Sequence, residues 1–94
     1  MSRPIFTFPD DADWNEPRQA VEFGVEIGDY VGRAFLPAAA LRGLLGHRPT
    51  AAEAVEIYHL HRTPIERAVE LRIEERRLDP DANVTLDGRD LRSR

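Results

Sequence analysis

The stretch from residue 18 to residue 36 constrains this chain more than any other. Val21, Phe23, Val25 and Ile27 alternate with Ala20, Glu22, Gly24 and Glu26, and a strict period of two is the pattern of a half-buried strand. Gly28-Asp29 follows as a two-residue turn, with glycine where φ must be positive. Tyr30 to Leu36 then returns as the partner strand. A turn that tight sets Ile27 opposite Tyr30, Val25 opposite Gly32, Phe23 opposite Ala34 and Val21 opposite Leu36. Large side chains thus face small ones across the pair. One face of this hairpin must be covered by another layer. The other carries Val31 and Phe35 among Glu22, Glu26 and Arg33, and two apolar side chains on a wet sheet face are candidates for a contact with a second copy.

Around the hairpin the remaining elements follow from local chemistry. Ile5 to Phe8 reads as a short first strand stopped by Pro9, and Asp10 to Pro17 as an acidic loop in which Trp14 folds back onto the core edge. Pro37 opens a helix at its first position. Ala38 to Leu45 continues it, with Leu41, Leu44 and Leu45 as its buried stripe, and Gly46 closes it. Thr50-x-x-Glu53 is a capping box. Beyond it Ala54, Ile57, Tyr58, His61, Ile65, Ala68 and Val69 repeat at three and four, an apolar helical face. Thr63-Pro64-x-Glu66 interrupts this run and itself spells a second capping box. The stripe keeps its phase across Pro64, however, which favours one kinked helix to about Leu78. Asp79 to Asn83 breaks it, Val84 to Leu86 forms a last strand, and Asp87-Gly88 turns into a loose tail at about residues 89–94. The expectation is one α+β domain over residues 1–94. It has an antiparallel sheet of a short strand, a long hairpin and a C-terminal strand, with two helices packed on one face.

Composition narrows the chemistry. The 94 residues contain no Cys, and all 13 Lys-or-Arg residues are Arg. Thiol nucleophiles, thiolate metal sites, disulfides and Schiff-base lysines are therefore absent. Serine stands only at Ser2 and Ser93, near the two ends, which argues against a serine nucleophile. Residues 1–31 hold two Arg against seven acids, and residues 32–94 eleven Arg against ten acids. Neither half has the clustered cations that track phosphates, so nucleic-acid binding is not expected. No apolar run approaches about 18 residues, so no membrane span is expected. Nothing after Met1 resembles a secretory leader, and with the missing cysteines this points to the cytoplasm.

The order and spacing of several segments resemble a known family. These are Phe6-Thr7-Phe8-Pro9-Asp10, Trp14, Ala20-Val21-Glu22-Phe23, Leu41, His61-Arg62 with Ile65 and Ala68, and the closing Val84-Thr85-Leu86-Asp87 with Asp90-Leu91. Over about residues 5–91 the chain is similar to the small bacterial family DUF1488, a domain of unknown function. The resemblance implies a compact α+β domain with helices on one face of an antiparallel sheet, and brings no activity. Thr63-Pro64 departs from the uninterrupted helix it implies.

Motifs that imitate functional sites are incomplete. Glu56-x-x-His59 has the spacing of di-iron helices, but such a site needs a second copy and two further Glu. His59 and His61 would stand ~200° apart on a helix and cannot share an ion. His61 falls on the apolar stripe, where burial with a hydrogen bond is expected. Asp79-x-Asp81-x-Asn83 opens like a calcium loop with Asp90 at position 12, but position 6 requires a sharp turn and is Val84. Arg72, Arg76, Arg77, Arg89, Arg92 and Arg94 are interleaved with acids, as on a salt-laced surface. No catalytic, metal or cofactor residue is expected. The reading is a small non-enzymatic module that works through protein contacts, with a homodimer as the simplest case and Trp14, Val31, Arg33 and Phe35 as its surface. The alternative is a nucleic-acid or small-ligand binder using the arginines of the last helix and tail. An enzyme would need His47 or His61 beside a carboxylate in a cleft.

Overall fold

In the computed structural model, which describes residues 5–91, the hairpin is the frame of the molecule. Strand β3 (Ala20–Ile27) and strand β4 (Tyr30–Pro37) pair antiparallel in the expected register, with Val21 opposite Leu36, Phe23 opposite Ala34, Val25 opposite Gly32 and Ile27 opposite Tyr30. Gly28 turns the chain with φ 57°, the left-handed value that glycine adopts without steric cost. Val21, Phe23, Val25, Ala34 and Leu36 are fully buried on the inner face. Gly32 matters for a second reason. The Tyr30 side chain folds back over it, and a Cβ there would lie 2.0 Å from the phenolic oxygen. That oxygen donates to the carbonyl of Ala82 at 2.6 Å and so ties the hairpin to the turn before the last strand.

The free edge of β3 takes two short strands in turn. β1 (Phe6–Thr7) pairs with its turn end, Phe6 opposite Ile27. β2 (Asp13–Asn15) pairs with its start, Trp14 opposite Val21. The expected loop over Asp10–Pro17 is thus partly strand. Asp and Asn are poor strand formers and three residues are too few to show a period, so the neighbouring edge, and not local preference, makes β2. On the far edge, β5 (Val84–Thr85) joins β4 with Ala34 opposite Val84 and Phe35 opposite Thr85. This last strand runs parallel, a correction to the all-antiparallel expectation. A crossover of a dozen or more residues permits either direction, and the helices between β4 and β5 supply one.

Those helices form the covering layer. α1 (Ala38–Leu45) follows β4 directly, with Pro37 as its N-cap and Gly46 ending it at φ 79°. α2 (Ala51–Leu60) starts at the complete capping box, Thr50 Oγ1 accepting from Glu53 N–H and Glu53 Oε1 accepting from Thr50 N–H. The single kinked helix expected here is two. His61 (φ −119°, ψ 34°) separates α2 from α3 (Arg62–Glu74). The cause is Pro64, whose ring would clash with the carbonyl four residues back, at Leu60. The second capping box does not form: the α3 cap has no side-chain hydrogen bond, and Glu66 pairs with Arg62. α3 also stops short of Leu78. Arg76 takes φ 59° and Arg77 N–H bonds the carbonyl of Arg72 at 2.8 Å, a Schellman-type ending. Within the tail expected to be loose, Gly88–Leu91 form α4, capped by Asp87 Oδ1 accepting from the N–H groups of Arg89 and Asp90. Residues 92–94 of that tail lie outside the described residues.

The core lies between the layers. Leu41, Ala54, Tyr58, Ile65 and Val69 meet Val21, Phe23, Leu36, Val84 and Leu86 in one cluster. The rings of Tyr58 and Phe23 are 4.7 Å apart. No helix among the described residues is long and apolar enough to cross a membrane.

Candidate interaction surfaces

The outer face of the sheet is the first candidate, and the structure rearranges it. Of Trp14, Val31, Arg33 and Phe35, only Val31 is open to solvent, at 72% exposure. Phe35 is buried at 4%, because the guanidinium of Arg18 lies 4.1 Å above its ring. A cation over an aromatic face is attracted by the ring quadrupole, and the same stacking removes Phe35 from any contact surface. Trp14 is half-buried against the core edge and its indole N–H donates to Glu16 Oε1 at 2.6 Å. The four residues do not make a common apolar patch.

Arg33 is the centre of a polar cluster instead. Its Nε donates to Glu22 Oε2 at 2.7 Å and its terminal nitrogen to Asp11 Oδ2 at 2.8 Å. Glu22 also accepts from the Asn15 amide, and Asp11 Oδ1 accepts from Gly24 N–H. The Asp11 carboxylate thus bonds the β3 edge in the gap between β1 and β2. A Cβ at Gly24 would press on Arg33, Asp11 and Pro9 at 3.0–3.1 Å, so glycine leaves the room in which the cluster sits. Burial pushes Asp11 upward, but the Arg33 hydrogen bond, the Gly24 N–H and the Arg33 charge outweigh it and hold the carboxyl below its usual range. The Asn15 amide, followed by Arg33, lowers Glu22.

A second arginine clamps the same loop from the helical side. Arg62 donates to the Phe8 carbonyl at 3.1 Å and to Asp10 at 3.3 Å while pairing with Glu66. The links to Phe8 and Asp10 span more than fifty residues, and no local pattern announces them. Beneath Arg62, Tyr58 is fully buried, and its hydroxyl has no hydrogen-bond partner within the described protein.

The helical layer carries the second candidate, which the sequence reading missed. Leu41, Leu44, Ile57, His61, Pro64, Ile65 and Leu91 line an apolar groove of about 120 Å³. His61, expected to be buried, is exposed at the groove wall, because it sits at the break between α2 and α3. Leu44 and Leu45, expected in a buried stripe, are 50% and 37% exposed, and Leu60 is 71% exposed. Leu60, the last residue of α2, lies one turn from Ile57 and immediately before the groove residue His61. The interruption at Thr63-Pro64 is the one local signal that this region is special.

The imitated sites do different work in the structure. Glu56 and His59 are both exposed on α2. Asp79 accepts from the Thr85 hydroxyl at 2.6 Å, and Asn83 accepts from the Arg33 backbone N–H at 3.1 Å, so this turn sews β5 to the sheet. Among the described residues no group of three or more His, Cys, Asp or Glu side chains could hold a metal ion. Arg72 is mostly buried and bonded to Asp90 and Asp87, and Arg77 pairs with Glu75. His47 lies 3.9 Å from Glu53, both about half exposed.

Sheet, covering helices and hairpin register together define a two-layer α+β domain with a mostly antiparallel five-stranded sheet. The chain belongs to the family described as "Protein of unknown function (DUF1488)", whose profile matches residues 6–86. A crystal structure of a protein of unknown function of the same family, from Shewanella loihica PV-4, has the same fold. Its TM-score is 0.78 at 19% sequence identity, over 87% of this chain and 91% of that one. Among curated proteins none matches.

Proposed function

We propose that this protein is a small, non-enzymatic, cytoplasmic protein-interaction module that pairs weakly with a second copy of itself through the groove between α1, the α2–α3 junction and α4. The observation that carries this reading is an apolar groove of about 120 Å³ together with the exposed Leu60, adjacent in sequence to the groove residue His61. An apolar cavity of ~150 Å³ accepts a molecule as large as benzene, so the groove has room for one leucine side chain. A two-fold axis exchanges equivalent patches and would seat each Leu60 in the other copy's groove. Burying a leucine contributes about 1.5–3 kcal/mol. Two such insertions supply roughly 3–6 kcal/mol against an association cost of about 4–15 kcal/mol. The two insertions alone do not exceed that cost, so any pairing is weak and relies on the rim as well.

The absence of thiol and lysine chemistry supports a role without catalysis, as does the exposure of the His47–Glu53 pair, each about half open to solvent. The cysteine-free composition supports a reducing compartment. The alternative, nucleic-acid or ligand binding by the arginines of the last helix and tail, is less favoured because Arg72 and Arg77 are already engaged by carboxylates.

Sedimentation equilibrium up to about 1 mM protein tests the pairing. We expect a concentration-dependent rise towards dimer mass that Leu60→Asp abolishes while its melting temperature stays that of the parent. A monomer at every concentration, or a dimer that Leu60→Asp leaves intact, overturns the reading.

A further inference from the structure

We draw no further inference here: the strongest candidate, the hollow of about 290 Å³ at the N-terminus of α1 lined by Pro37, Ala39, Ala40, Leu86 and Asp87, rests on a helix N-terminus without a side-chain cap and has no second observation that points to a ligand.

Discussion

Gly32 shows how one residue can join two elements. Its missing side chain is what allows the Tyr30 ring to lie along the sheet and reach Ala82. Gly32→Ala should expel that ring, lose the hydrogen bond and destabilise the fold by about 2–3 kcal/mol, read as a shift of the urea midpoint at constant slope. Arg76 offers the opposite case. A non-glycine side chain in the left-handed region costs roughly 1–2 kcal/mol, and glycine gives back part of this gain through greater freedom in the unfolded chain. Arg76→Gly should raise stability by up to ~1 kcal/mol, visible as a higher thermal midpoint. Neither residue is remarkable in the sequence. Gly32 could have been an ordinary strand glycine, and Arg76 sits in a charged run where a helix could have continued.

At the scale of elements, local signals and long-range clamps divide the work. The Thr50–Glu53 box is local, was readable, and forms as expected. Thr50→Ala should cost ~1 kcal/mol by chemical denaturation. The loop between β1 and β2 is held instead by Arg33 and Arg62 from distant elements. Asp11, Glu22 and Asp87 all have lowered pKa values in the fold. The unfolded chain therefore takes up protons first as pH falls. The stability these groups contribute is present above the ordinary values of 3.8 for Asp and 4.5 for Glu and is lost as pH drops through the lower folded values. Urea midpoints measured from about pH 6 to about pH 3 should fall steadily, with a shallower fall in Arg33→Met, which removes the cation shared by Asp11 and Glu22. An unchanged slope in that variant would mean that Arg33 does not set these pKa values. The same element shows a limit of reading by phase. The apolar repeat from Ala54 to Val69 continues across Pro64, yet the ring of Pro64 still divides the helix at His61.

For the whole molecule, the question is which apolar surface remains after folding. The hairpin invited a contact surface on the outer sheet face through Val31 and Phe35, but Arg18 covers Phe35 and the Arg33 cluster occupies the neighbouring ground. The helices leave Leu44, Leu45, Leu60 and Leu71 exposed, against Val31 on the sheet and Ile5 beside it. Val31→Thr should therefore leave the association state unchanged in sedimentation, in contrast to Leu60→Asp. Equal loss of association in both variants would move the contact back to the sheet.

The sequence by itself determined the hairpin, its register, and the two helix caps at Thr50 and Gly46. Each depends on neighbours within a few residues or on a period that repeats along one strand or helix. Only the tertiary structure decided that Asp13–Asn15 would be a strand, that Val84–Thr85 would run parallel, that Arg18 would close over Phe35, and that His61 would face solvent. These outcomes depend on unpaired backbone edges and on charges brought together across tens of residues, where the local chain has no preference strong enough to fix them.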